Sequence, residues 1–463
     1  MNIGTLPTRQ ARWRPDHLAV VFEHHRLTSR EFNQRVNRLA NAFLNLGITK
    51  GDKIATILPN SLELLETYWA VAKIGAVVVP LSPLTRGKGL TTMLNDSDAV
   101  CVITDSAFVE HLNPVRSDLS IPSGRYLIIN EANTPGYEDY HALTDAASDR
   151  EPEGIDIDAD DPYNIMYTSG TTGQPKGIVH SHYVRAMYGM LMASAFRFTP
   201  ESIVLHAGAV VFNGSFVTLM PAFFLGATYI LQGQFNPEKF IECIAREQVT
   251  HMILVPSQIV AIMHAPNFSA EALQSVEVLC TVGAPLHQEH KDELNRRLSG
   301  IFYELYGLTE GFLTILDKTH YAAKPSSVGV PPCFFEMRIV NDKGQDVPVG
   351  EVGEIIGRGP MLMCGYYKRP DLTAKAIVDG WLHTGDMGYV DADGFLYLVD
   401  RKKDLIISGG LNIYPRDIEE VVVQHPAVLE TAVFGIPHEK WGETPVAAVV
   451  LKQRRWSSSI RRC

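Results

Sequence analysis

The sequence predicts an α/β protein: a large N-terminal region of two parallel-sheet subdomains plus a small β-rich module, followed by a small α+β C-terminal domain. Three observations predict it. Short apolar runs at Lys53–Leu58, Ala76–Leu81, Ala99–Thr104 and Tyr126–Ile129 alternate with helical segments, the signature of parallel strands covered on both faces. A second such set follows at Ala227–Leu231, Met252–Val255, Val276–Thr281 and Phe302–Tyr306. Beyond it, Met337–Val340, Gly353–Gly357 and Gly394–Val399 are short strands divided by Gly, Asp and Pro turns. Asp400-Arg-Lys-Lys-Asp404 is a charged break, which sets the expected domains at 1–400 and 401–463.

The first clear helix starts at Thr28-Ser-Arg-Glu31, a capping-box pattern. Phe32, Val36, Leu39, Ala40, Phe43 and Leu44 follow at helical spacing, and Gly47 is the expected stop. Residues 207–237 carry no charge, but Asn213, Gly214, Ser215, Pro221 and Gly226 interrupt them. A buried wall of a soluble domain is therefore expected there, and no integral membrane segment. The net charge of −11 argues against a nucleic-acid partner, because phosphate binding needs a basic footprint. Six scattered cysteines without a CxxC pair read as reduced, mostly buried thiols of a cytoplasmic protein.

Residues 167–177, Tyr-Thr-Ser-Gly-Thr-Thr-Gly-Gln-Pro-Lys-Gly, are the most informative stretch. Gly170, Gly173 and Gly177 let the backbone turn and approach a ligand closely. Ser169, Thr171 and Thr172 offer hydroxyl donors after Thr168, and successive N–H groups of such a loop form an anion-binding nest. Lys176 adds a mobile point charge suited to phosphate oxygens. Apolar residues on both sides place the loop between two strands. A Walker A loop is excluded, since Pro175 precedes Lys176 and Gly177 follows it.

With these strings in this order, the sequence resembles the adenylate-forming superfamily of acyl-CoA synthetases, peptide-synthetase adenylation domains and beetle-type luciferases. The resemblance runs from about residue 10 to about residue 450. Val282-Gly-Ala-Pro285 resembles the turn on the adenine side, which marks Gly283, Ala284 and Pro285 as nucleotide-binding. In Tyr303-Glu-Leu-Tyr-Gly-Leu-Thr-Glu310, the resemblance implies that Tyr306 stacks on adenine, Thr309 contacts the α-phosphate and Glu310 holds Mg²⁺. Glu304 and Gly307 of that string belong to the same nucleotide set. Asp386 of Trp381-Leu-His-Thr-Gly-Asp386 would accept both ribose hydroxyls, as two oxygens of one carboxylate suit a vicinal diol. Arg401 would reach the ribose, and a further nucleotide contact is expected at position 398, which carries Leu398 beside Tyr397. Lys403 stands at the hinge, and Ser408, Gly409 and Gly410 rim the expected thiol tunnel. Lys176, Thr309 and Glu310 form the expected catalytic set.

The implied chemistry is ATP-dependent activation of a carboxylic acid as acyl-AMP, with Mg²⁺, and transfer to coenzyme A. A carrier-protein thiol is the alternative acceptor, and a homodimer stays open. Phe212, Asn213, Gly214, Phe216, Gly283 and Gly307 are the expected acyl pocket, with Met220, Phe223 and Phe224 extending an apolar wall. Phe212 stands where many relatives have His, and the missing cationic or amide specificity residue favours an apolar acid, fatty or aryl.

The C-terminus departs from the family. The second domain there normally continues well past the hinge and carries a catalytic Gly-Lys near its end. Resemblance is expected to stop after Val449-Val-Leu-Lys452, and the tail from 453 has four arginines in eleven residues. The sequence reading is thus an incomplete C-terminal domain, through a shifted frame or an artificial end, and a catalytically impaired nucleotide- or acyl-binding remnant as a further alternative.

Overall fold

The computed structural model describes residues 1–168, 175–401, 404, 406–408, 411–438 and 441–452. The chain divides into two compact units, one of Met1–Glu336 with Arg358–Leu382, the other of Met337–Gly357 with His383–Cys463.

The first unit contains two eight-stranded sheets. One runs, edge to edge, through Gly365–Tyr366, Lys176–Ser181, Pro162–Thr168, Val77–Pro80, Lys53–Ile57, Ala99–Asp105, Tyr126–Ile129 and Glu138–Asp139. Neighbours are parallel from Pro162–Thr168 onward, and the first two strands run antiparallel. The other runs through Leu313–Leu316, Phe302–Gly307, Val278–Val282, His251–Leu254, Ile203–His206, Thr228–Leu231, Leu18–Phe22 and His25–Thr28. Its six central strands are parallel and each edge strand is antiparallel. The expected strands are all present, but the sheets are mixed at their edges. For three of the antiparallel pairs the reason is local: Pro162–Thr168 with Lys176–Ser181, Phe302–Gly307 with Leu313–Leu316 and Leu18–Phe22 with His25–Thr28 are joined by short connections, which can only give antiparallel pairs.

The helix Ser29–Asn45 begins with the expected capping box: Glu31 N donates to Thr28 Oγ1 at 3.2 Å, and Glu31 Oε2 accepts from Thr28 N at 2.8 Å. The uncharged segment holds the helix Phe216–Leu225, which ends at Gly226 with φ +76°. Phe223 of this helix packs on Trp69, Phe32 and Tyr229, with ring centroids at 4.5, 5.4 and 6.3 Å. It is a core helix, and no helix among the described residues is long and apolar enough to cross a membrane. A polar tie fixes the helices beneath. Lys73 Nζ, buried, donates to Thr8 Oγ1 at 2.6 Å, Asn33 Oδ1 at 2.9 Å and Glu151 Oε2 at 2.5 Å. Cys101, Cys243 and Cys280 are buried, whereas Cys333 and Cys364 are exposed.

The second unit carries most of a five-stranded sheet ordered Glu336–Val340, Gly353–Arg358, Trp381–Val390, Ile377–Val378, with Leu396–Arg401 also paired to Trp381–Val390. It also holds a four-stranded sheet ordered Leu411–Ile413, Ile406–Ser408, Gly442–Leu451, Val428–His438, with the helix Pro415–Val422.

Three core imidazoles make the fold sensitive to acid. His182, His206 and His251 are buried, and burial pulls each down to about 4. In the unfolded chain these rings protonate at about pH 6.5. Stability is therefore fully present above the unfolded value and is lost as pH falls from there toward the folded one. Each ring should remove on the order of 1–2 kcal/mol by about pH 5. The urea midpoint should fall steadily between about pH 7 and pH 5. A flat midpoint across that range would mean that the rings are not held neutral.

Candidate active site

The strands Pro162–Thr168 and Lys176–Ser181 form an antiparallel hairpin, with Thr168 opposite Lys176. Ser169, Gly170, Thr171, Thr172 and Gly173 lie outside the described residues, so the structure gives the two ends of the loop expected to bind phosphate. Gly177 is in the strand itself. A Cβ there would meet Ile165 Cγ2 at 2.8 Å, so its role is close packing rather than a sharp turn.

Lys176 and Glu310 are brought together by a residue that the sequence reading missed. Tyr366 donates its hydroxyl to Glu310 Oε1 at 2.8 Å, and Lys176 Nζ sits 5.0 Å from the centroid of the same ring. Burial, followed by the charge of Glu310 and the hydrogen bond to it, pushes the Tyr366 phenol up, so it stays a donor at neutral pH. Tyr367 N donates to Gly177 O at 2.7 Å, which locks this strand to the hairpin.

Thr309 and Glu310 occupy a tight turn after the strand Phe302–Gly307. Gly311 N donates to Leu308 O at 3.0 Å and Met363 N donates to Glu310 O at 2.8 Å. Gly311 has φ +104°, and a Cβ there would lie 2.0 Å from Met361 O. Thr309 is fixed from below by a second unforeseen residue. His180 Nε2 lies 2.8 Å from Thr309 O, and a carbonyl can only accept, so Nε2 carries the proton. Burial, then the charge of Arg185, pulls His180 well below its ordinary value, and the bond to Thr309 opposes them.

Around this turn, Tyr306 is half-buried and pairs across to Thr314, while Gly307 is exposed. Gly283, Ala284 and Pro285 form an exposed turn after the strand Val278–Val282, with Gly283 at φ +89°. Glu304 is buried and its carboxylate is ion-paired with Lys291, so that side chain is engaged in the interior.

The expected acyl wall divides. Phe212 is 55% exposed. Asn213 Nδ2 donates to Tyr188 OH at 3.1 Å, and Gly214 is open, with Val282 Cγ1 3.9 Å from where its Cβ would be. Phe216 is wholly buried against Tyr68, at 5.3 Å between ring centroids, and under the Arg185 guanidinium at 3.9 Å. It is packed into the core of the first unit, on a helix whose residues are almost all apolar.

In the second unit, Asp386 pairs in register with Arg401, and its N donates to Thr384 Oγ1 at 3.1 Å. Position 398 is Leu398, and the tyrosine next to it, Tyr397, stacks on Tyr389 at 5.0 Å and donates to Asp391 Oδ2 at 3.2 Å. Ser408 pairs with Leu411 and Gly442. Lys403, Gly409 and Gly410 lie outside the described residues.

A single carboxylate such as Glu310 fits Mg²⁺, which keeps waters and is held by one or two carboxylates plus substrate phosphates. It does not fit a metal that needs an all-protein cage, and no group of three or more His, Cys, Asp or Glu suited to one is present among the described residues.

The turn yields a stability prediction. Gly154 has φ +77° with open space where a Cβ would go. Gly154→Ala should therefore cost about 1 kcal/mol, from backbone conformation alone. Gly311→Ala adds a clash with a carbonyl and should cost about 3 kcal/mol or more. Equal losses in urea unfolding would mean that the Gly311 turn has room to spare.

The chain is similar to known proteins along most of its length. The chain is 36% identical over 458 residues to a feruloyl-CoA synthase of Amycolatopsis, covering 97% of this chain and 88% of that one. It is 32% identical to a medium/long-chain-fatty-acid–CoA ligase of Mycobacterium tuberculosis, covering 92% and 76%. Among solved structures, ATP-bound MatB from Rhodopseudomonas palustris superposes with a TM-score of 0.88 at 28% identity, covering 98% and 89%. The o-succinylbenzoate CoA synthetase of Bacillus subtilis, with its acyl-adenylate intermediate, gives 0.87 at 28%, covering 97% and 89%. Residues 417–462 match the AMP-binding enzyme C-terminal domain, a match that runs past Lys452, where the sequence reading expected resemblance to stop. Residues 7–367 match the AMP-binding enzyme family, and the chain belongs to it.

Proposed function

We propose that this protein is an acyl-CoA synthetase for an apolar aryl or fatty acid. A carboxylate oxygen attacks the α-phosphorus of ATP, the bond to pyrophosphate breaks, and acyl-AMP forms. The sulfur of coenzyme A then attacks the acyl carbon, the bond to the AMP oxygen breaks, and the thiol proton passes to solvent. The observation that carries this reading is the Lys176–Tyr366–Glu310 arrangement at the end of the phosphate-loop hairpin. It sets a cation over the ring of one tyrosine and a carboxylate on the hydroxyl of the same tyrosine, the pair of charges that stabilising a polyphosphate and its metal calls for.

In this reading Thr168 to Gly173 cradle the phosphates, Lys176 and Thr309 meet charge at the α-phosphate, and Glu310 holds Mg²⁺ with the nucleotide. Tyr306 faces adenine beside Gly283, Ala284, Pro285 and Gly307. Asp386 takes the ribose diol with Arg401, and Lys403 is the hinge before a thiol passage at Ser408, Gly409 and Gly410. Residues 1–400 act as the adenylate-forming domain, 401–463 as the C-terminal domain, in a cytoplasmic enzyme. Phe212, Asn213 and Gly214 border the acyl pocket. An aryl acid is favoured because the feruloyl-CoA synthase is 36% identical over 97% of this chain, against 32–33% over 92–93% for the relatives named for fatty acids.

The test measures ATP–pyrophosphate exchange and thioester formation with ferulate, indoleacetate, 2-succinylbenzoate and decanoate. Exchange with at least one acid, and a CoA thioester from the same acid, is expected. Exchange without a thioester would point to another thiol acceptor, and no exchange with any acid would sink the reading. Asp386→Ala should weaken AMP binding by roughly ten- to a hundredfold, the loss of about 1.5–3 kcal/mol for a charge-assisted hydrogen bond. Binding of 2′,3′-dideoxy-AMP should change far less, and equal weakening of both ligands would remove Asp386 from the diol.

A further inference from the structure

Behind the Thr309 carbonyl lies a fully buried cation with an unusual set of partners. Arg185, on the helix His182–Ala195, is 0% exposed. Its Nε donates to Asn164 Oδ1 at 2.8 Å, its Nη2 donates to His180 Nδ1 at 3.2 Å, and its Nη1 is buried without a hydrogen-bond partner. No carboxylate pairs with it among the described residues. Its charge rests on the faces of Phe216, at 3.9 Å, and Tyr188, at 4.8 Å. A guanidinium in such a place is costly to desolvate, and the ring contacts offset that cost only in part. An apolar residue of similar size would pack this core at less cost.

What the guanidinium does is set the imidazole. Arginine cannot accept a hydrogen bond, so its Nη2 requires a lone pair on His180 Nδ1. Asn164 Nδ2 also points at that nitrogen, at 3.3 Å, while its Oδ1 is held by Arg185. With Nδ1 confined to accepting, the ring proton is placed on Nε2, where it donates to Thr309 O at 2.8 Å. His180, Asn164 and Arg185 have at most 0% exposure, so water cannot substitute for any of them.

We propose that His180, held in one tautomer and orientation by Arg185 and Asn164, is a positioning residue for the adenylation step, fixing the backbone of Thr309 and through it the Glu310 carboxylate. The inference rests on the acyl-CoA synthetase reading and goes beyond it. His180 touches no substrate. It acts through a carbonyl 129 residues away in the chain.

The test compares wild type, His180→Phe and His180→Gln in pyrophosphate exchange. His180→Phe keeps the ring volume and removes the donor. Its kcat should fall by about 10- to 100-fold, the usual range for an outer-shell partner, with the KM for the acid nearly unchanged. His180→Gln places an amide N–H near the former Nε2 and should recover most of the loss. Equal loss in both variants, or none in His180→Phe, overturns the proposal.

Should His180→Phe fail to fold, ¹⁵N spectra of the wild-type histidine rings decide the matter without a variant. A His180 proton on Nε2 is expected, and a proton on Nδ1 overturns the proposal. Absence of exchange in the wild type would fail the functional reading alone. The proposal is then read from ATP affinity by calorimetry with Mg²⁺ and with a chelator. The gain from Mg²⁺ should be smaller in His180→Phe than in wild type by about tenfold, and an equal gain overturns the proposal.

Discussion

The site depends on the lack of space beneath one turn. Gly311 passes so close to the Met361 carbonyl that no side chain fits, and the bonds from Gly311 N to Leu308 O and from Met363 N to Glu310 O close the loop around it. Once that backbone is fixed, Glu310 has only its side-chain torsions left, and the Tyr366 hydroxyl removes much of that freedom. The strand Gly365–Tyr366 is itself registered on Val179 and Ile178 of the phosphate-loop hairpin. Lys176 and Glu310, 134 positions apart in the sequence, thus share one short edge strand. Preorganisation here comes from sheet registry, which costs no rearrangement when charge develops.

Much of this was legible in the sequence, for reasons that differ by element. Tyr126–Ile129 appears with the expected bounds because a short apolar run flanked by polar turns leaves few alternatives. The Thr28 capping box was legible because its partners are three residues apart. The mixed sheet edges were not, since period and composition do not report the direction of a neighbour. The burial of Phe216, expected on an acyl wall, was not legible for a related cause. The segment Phe216–Leu225 is apolar on every face, so nothing local tells a pocket-facing ring from a core ring. The tyrosine expected near 398 stands at 397, and its hydroxyl and ring are engaged by Asp391 and Tyr389.

The unforeseen residues share one property: each works through a partner distant in sequence. Tyr366 reaches back 56 residues to Glu310, and His180 reaches forward 129 to Thr309. His180 lies in Lys176–Ser181, a strand buried at every position after the first, and a polar residue in such a run is the one available signal. Buried polar groups are hydrogen-bonded, so His180 and Arg185 had to have interior partners, though a single sequence does not say which. Glu304 carries the converse lesson. It sits in the most family-like string of the chain, yet its carboxylate is closed off with Lys291.

The neutral groups around Glu310 suit the proposed reading, in which that carboxylate holds Mg²⁺. A lysine or arginine paired directly with it would hold it firmly, but would also cancel the charge that attracts a cation. A phenol and a backbone amide orient the residue and leave its charge in place. The same logic explains the order of the buried relay. Arg185 stands one imidazole behind Thr309, and the ring passes on direction without passing on charge, since burial and the guanidinium keep His180 neutral. Lys176 is kept off the carboxylate in a similar way, over the face of Tyr366 rather than against the Glu310 oxygens. On the proposed reading cation and anion then both serve a polyphosphate, where an ion pair between them would leave neither available.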